Sequence, residues 1–247
     1  MFNLQITATN YAMIRLLLIS NSTNAGESYL EHPIYEIKSF LGSSSLNALF
    51  IPFAGVTISF DDYTDRVRGR FREIGHDIIS IHQIDDPVEA VEQAQCIVVG
   101  GGNTFHLVKH LQEQGLMEPI RRKIKGGTPF IGWSAGSNIT CPTLRTTNDM
   151  PIVEPPSFRV LDIVPFQINP HYLDANPDGH AGETREMRIE EFLEVNPDIY
   201  VVGLREGTMF RVEGKDIQLI GPRAARIFRK GQEPYELEAG EDFSFLL

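Results

Sequence analysis

An α/β fold is what this sequence predicts: a mostly parallel sheet with helices on both faces, closed by an antiparallel meander. Three observations carry the prediction. Short apolar runs alternate with amphipathic stretches as far as Ser134. Those runs are rich in Ile, Val and Leu with little polar interruption, as burial on both faces requires of a parallel strand. From Thr208 the runs become shorter and alternating, and Gly or Pro turns separate them, as in antiparallel neighbours.

In chain order, RLLLIS (15–20) is the first strand, a helix follows over 30–41, and ALFIPFAG (48–55) is the second strand. A helix over 60–74, the strand DIISIH (77–82), a helix over 87–94 and the strand CIVVGGG (96–102) continue the alternation. Two helices fill 104–125 before the strand PFIGWS (129–134). Repetition of this kind favours parallel pairing, with each helix crossing over a face of the sheet. The pattern then loosens. Residues 141–162 hold Pro142, Pro151, Pro155 and Pro156 and few periodic apolars, which predicts a long irregular loop, a type uncommon without a task. A strand over Ile163–Ile168, an amphipathic helix over 182–196 and the buried strand DIYVVGL (198–204) precede the meander of TMFRVEG, DIQLIG and AARIFRK. No repeat or linker divides the chain, so one domain over 13–247 is expected, with 1–12 a tail and Met13 an alternative start.

Composition narrows the function. Of 247 residues, 22 are Lys or Arg and 33 are Asp or Glu, a net charge of −11. That balance argues against nucleic acid as a partner, since phosphate binding needs surplus cations. The dense basic run RRKIK (121–125) reads as a solvated helix end. Cys96 and Cys141 are the only cysteines and lie beside apolar segments, so neither a disulfide framework nor a cysteine-rich zinc site is available. The apolar runs are too short to cross a bilayer, and the first residues lack a secretory pattern. A cytoplasmic protein that acts on a small molecule, without membrane, as a monomer or homodimer, is expected.

The sharpest chemical signal is Gly-Trp-Ser-Ala-Gly at 132–136, directly after a strand and before a helix. This is the setting of a nucleophilic serine: Ser134 on a strained turn, its hydroxyl clear of the sheet edge. The following amides point where an oxyanion would form. The alternative is a serine that merely caps a helix. Gly100-Gly101-Gly102-Asn103 ends the neighbouring strand, so the amides of Gly102 and Ala135 are the candidate oxyanion donors. A phosphate loop is disfavoured, because GGGNTFH lacks both the full glycine spacing and the Walker lysine.

A serine needs a base and the base an acidic partner. His171 leads among seven histidines because it follows a strand at another sheet edge, in QINPH. His106 and His110 lie four apart on a helix without a third ligand, so no metal is expected. His32, His76, His82 and His180 sit at helix ends and turns. Two acids compete and spacing does not separate them: Asp149 in the irregular loop, and Glu206 after the buried strand 198–204.

At these residues the chain resembles peptidase E, the α-aspartyl dipeptidase family of serine peptidases. The matching blocks are LLLISNST (16–23), FIPFAGVT (50–57), VVGGGNTFHL (98–107), IGWSAGSN (131–138), CPTLRTTNDMPIV (141–153), QINPH (167–171), GETRE (182–186) and GLREG (203–207), in family order over roughly 14–240. The resemblance implies a three-layer flavodoxin-like fold, akin to class I glutamine amidotransferases, with serine replacing their cysteine. It implies hydrolysis of dipeptides with N-terminal aspartate through an acyl-enzyme, with no metal or cofactor. Ser134 matches the nucleophile and His171 the base, while Asp149 and Glu206 both fall on positions considered for the third member. Arg205 stands where a proline is common. Selecting aspartate requires a local cation, for which Arg185 is first and Arg145 second. Glu183 and Asn103 are the candidates for the free α-amino group. The alternatives are a cyanophycinase-like hydrolase of aspartyl–arginine polymer and a non-catalytic anion-binding protein of flavodoxin-like fold.

Overall fold

A computed structural model describes residues 14–176, 179 and 181–247; the expected tail and alternative start, and His180, lie outside the described residues. Seven strands form the larger sheet. They are β1 (Arg15–Ile19), β2 (Asn47–Ile51), β3 (Asp77–Ser80), β4 (Ile97–Val99), β5 (Phe130–Trp133), β8 (Met209–Glu213) and β9 (Asp216–Ile220), in the order β3-β2-β4-β5-β1-β8-β9. β1 to β5 are parallel, and β8 and β9 add antiparallel at one edge. In β1, Leu16 and Leu18 enter one core cluster while Leu17 and Ile19 enter another, and all four are fully buried. Alternate residues point to opposite faces, so this is a strand covered on both sides.

The covering helices are α1 (Ile34–Leu41), α2 (Phe60–Glu73), α3 (Pro87–Gln93), α4 (Thr104–Glu113), α5 (Met117–Lys125), the short α6 (Ala135–Asn138) and α7 (Arg185–Val195). Asn103 caps α4, its side chain accepting from the His106 amide, and Thr184 caps α7 through the Met187 amide. The basic run at the end of α5 is less solvated than expected. Arg121 donates to the carbonyls of Leu161 and Val160, and Lys123 to that of Glu92, so these cations satisfy loop carbonyls.

A second sheet holds β6 (Gln167–Tyr172), β7 (Val201–Arg205), β10 (Ala225–Phe228) and β11 (Tyr235–Leu237), ordered β11-β10-β7-β6. The expected meander is therefore split: β8 and β9 close the first sheet, whereas β10 and β11 join the second. Alternating patterns define a half-buried strand but not the edge it pairs with. The strand expected over 163–168 lies later, at 167–172. Ile163, Val164 and Phe166 are buried in irregular chain, so their hydrophobicity signals burial and not pairing. Both sheets share one core, in which Leu16, Phe210, Ile168, Val202 and Ile227 belong to a single cluster.

Arg205, the departure from the resembled pattern, is buried and ion-paired to Asp174 and Glu236, tying the chain after β6 to β11. Burial also pushes the free thiols of Cys96 and Cys141 up to about 12, leaving them inert. Among the described residues no helix is long and apolar enough to cross a membrane.

Candidate active site

Ser134 occupies the turn between β5 and α6 at φ 53°, ψ −113°. An L-residue rarely adopts this conformation, and strain of this kind costs about 1–3 kcal/mol, so it persists only where the surroundings enforce it. Here they do. The Ser134 amide donates to the Ile19 carbonyl (3.0 Å), and its own carbonyl accepts from Ser137 and Asn138. Gly136 lets α6 start this close to β4, because a Cβ there would lie 2.2 Å from the Val99 carbonyl oxygen.

His171 arrives from the second sheet. It is the extra residue of a bulge in β6, between the pairs Pro170–Leu204 and Tyr172–Arg205, and it too has positive φ (53°). Bulges re-aim a side chain. Three ties hold this one at the serine turn. Asn138 of α6 donates to the Ile168 carbonyl (2.9 Å), and the His171 amide donates to Ser20 Oγ (3.0 Å), which in turn donates to the Leu204 carbonyl. The irregular segment after α6 adds the third, since Thr146 donates to the Ile168 carbonyl and Asn148 to that of Pro170.

The side chains meet in a chain. Ser134 Oγ lies 3.0 Å from His171 Nε2, and His171 Nδ1 lies 2.7 Å from Glu206 Oε1. A carboxylate only accepts, so Nδ1 carries the hydrogen and Nε2 is left to accept from the serine hydroxyl. Asp149 is elsewhere. Its Oδ2 accepts from the Thr104 amide (2.7 Å) and the Thr147 hydroxyl (2.9 Å), which anchors the irregular loop to the start of α4. Spacing left the two acids level; the contact with the imidazole belongs to Glu206.

Gly102 lines the same hollow as Ser134, at φ 135°, where a Cβ would lie 2.2 Å from the Ala54 carbonyl oxygen. Only glycine fits there. Ala135 opens α6, so its amide lacks an intrahelical acceptor. Tyr63, which sequence reading overlooked, braces this loop. Its hydroxyl donates to the Gly101 carbonyl (2.9 Å) and accepts from Trp133 Nε1 (3.2 Å). A tyrosine on the buried face of α2 was the available signal, because a buried hydroxyl needs a partner.

The hollow over Ser134 measures about 730 Å³ and is lined by Ser22, Tyr29, Arg66, Asn103, Asp149 and His171 among others. Other expected binding residues lie outside it. Arg145 and Arg185 line an adjoining hollow of about 170 Å³ that meets the first at Asp149. Glu183 pairs with Arg188 at 3.5 Å and lines neither hollow. Asn103 does face the serine, but its amide is already committed: Oδ1 accepts from the His106 amide and Nδ2 donates to the Met150 carbonyl. A cap needs that geometry, so the side chain is not free for a ligand. His106 Nδ1 donates to the Phe53 carbonyl (2.6 Å) and His110 stacks on Phe53, giving both an aromatic-cluster setting.

The profile of peptidase family S51 matches residues 16–220. The chain is 53% identical over 233 residues to a protein named peptidase E from Nostoc sp., spanning 94% of this chain and 96% of that one. It is 48% identical over 230 residues to a peptidase E from Salmonella newport, spanning 93% and 100%. In fold it is similar to the crystal structure of a peptidase from an acI-B1 Actinobacterium, with a TM-score of 0.67 at 19% identity over 94% of this chain and 97% of that chain.

Proposed function

The chain belongs to peptidase family S51, and from that premise we propose that it hydrolyses dipeptides with N-terminal aspartate, using Ser134 as nucleophile, His171 as base and Glu206 as the group that orients the base. The observation that carries the reading is the contact chain from Ser134 Oγ through the imidazole to Glu206. His171 Nε2 takes the hydroxyl proton as Oγ attacks the aspartyl carbonyl carbon, and Glu206 steadies the imidazolium that forms. The amides of Gly102 and Ala135 are assigned to the oxyanion, where loss of one donor costs about 3 kcal/mol. His171 then protonates the departing amine, and water releases aspartate by the reverse steps. No metal enters this chemistry.

Arg185 is assigned to the aspartate side chain. Burial and the like charge of Arg188 disfavour its cation, with Asp149 opposing both, so an incoming carboxylate is welcome there. Two buried thiols suit a reducing compartment, and we place the protein in the cytoplasm.

The deciding experiment measures free aspartate or glutamate released from Asp-Leu and Glu-Leu with chelator present. Asp-Leu is expected to be preferred by about 10- to 200-fold, the usual reach of one methylene. Equal rates, or dependence on metal, would overturn the assignment. A second expectation concerns the brace: Tyr63→Phe should lower kcat by about 3- to 30-fold with little change in KM, because it loosens one oxyanion amide without removing it. A change confined to KM would show that Tyr63 acts on binding instead.

A further inference from the structure

The proposed chemistry leaves one charged side chain in the serine hollow without a task. Among the described residues lining it Arg66 is the only Lys or Arg, in a protein of net charge −11. It sits on α2 one turn beyond Tyr63, whose hydroxyl holds the Gly101 carbonyl, so the same helix face that braces the glycine loop also carries the cation. Its guanidinium lies 5.6 Å from the centre of the Tyr29 ring, and no described carboxylate lies within 4.0 Å of it. A guanidinium held over an aromatic face keeps its in-plane donors available, which suits a planar carboxylate.

The hollow mixes apolar residues such as Val56, Ile58 and Ile152 with one carboxylate, Asp149, and one guanidinium, Arg66. Along the loop 101–104, the Gly101 carbonyl contacts α2, while the Thr104 amide contacts Asp149. Asp149 is engaged by the Thr104 amide and the Thr147 hydroxyl, whereas Arg66 has no such partner among the described carboxylates and attracts one from the substrate. Leu30 donates to the Ser22 carbonyl (2.7 Å), which fixes Tyr29 beside the β1 loop, and Ser20 of that loop supports His171, the group assigned to protonate the leaving amine. The leaving residue therefore belongs on the Tyr29 and Arg66 side.

We propose that Arg66 binds the C-terminal carboxylate of the leaving residue, so that the hollow selects dipeptides over longer or amidated peptides. This rests on the dipeptidase reading. The test compares Asp-Leu with its C-terminal amide, Asp-Leu-NH₂, in wild type, Arg66→Ala and Arg66→Lys. Wild type should favour the free acid, and Arg66→Ala should lose about 10- to 100-fold in kcat/KM on the acid alone, leaving the amide rate unchanged. That unchanged rate also demonstrates an intact fold. Arg66→Lys should recover part of the loss. Equal losses on both substrates would assign Arg66 to the aspartate half, and no loss on either would leave it without a role; each overturns the proposal while dipeptidase activity stands. A wild type that cleaves neither substrate would remove the dipeptidase reading, and this assignment with it.

Discussion

Ser134→Ala is expected to lower kcat/KM for Asp-Leu by about 10⁴- to 10⁶-fold while the protein still binds the dipeptide. In the proposed mechanism the hydroxyl supplies the bond-forming atom, and Ser137, the nearest serine in sequence, is no substitute, since it is buried with its Oγ 2.8 Å from two carbonyls. Alanine keeps the Cβ at φ 53° and so keeps the same backbone strain, which separates the chemical loss from an effect on folding. The proposed mechanism makes serine and imidazole one unit, so adding His171→Ala should cost little beyond the first substitution. Steady-state kinetics with binding measured by calorimetry would check both statements. A single variant retaining more than about one per cent of activity would place the attacking group elsewhere.

Glu206→Gln is expected to lower kcat by about 10²- to 10⁴-fold, because an amide can donate to Nδ1 and so stabilise the wrong tautomer, with Nε2 protonated towards the serine. Asp149→Asn should behave differently. Its carboxylate anchors the loop to the α4 start, so the expected loss is about 1 kcal/mol of stability with less than a tenfold change in kcat. Paired measurements of turnover and urea unfolding on the two variants decide which acid serves the base. The reverse pattern would move the role to Asp149.

Much of the sheet edge that carries the candidate site was legible in the chain. The parallel core was readable because burial on both faces forces continuous apolar runs, as in Leu16 to Ile19. The serine turn was readable because the close approach of α6 to β4 demands glycine at fixed spacing around Ser134. His171 was readable as a strand-end histidine, although not as the bulged residue of an edge strand. The position of β6 was displaced because Ile163, Val164 and Phe166 are buried without pairing. Tyr63 and Arg66 escaped notice since their importance comes from what α2 is packed against, and nothing in 60–74 names that neighbour.

By itself the sequence determined the quantities set by near neighbours along the chain: the strand and helix periods, the glycines of the serine turn, and two equal candidates for the acid. Tertiary structure alone decided that Glu206 meets the imidazole, that Asp149 accepts from the Thr104 amide at the start of α4, that the last four strands divide between two sheets, and that an arginine from α2 lines the same hollow as Ser134. Backbone sterics and side-chain periodicity act over a few residues and leave a local mark. Contacts such as that between 171 and 206, or the sharing of one hollow by 66 and 134, depend on how separate elements pack, and linear spacing carries no measure of that distance.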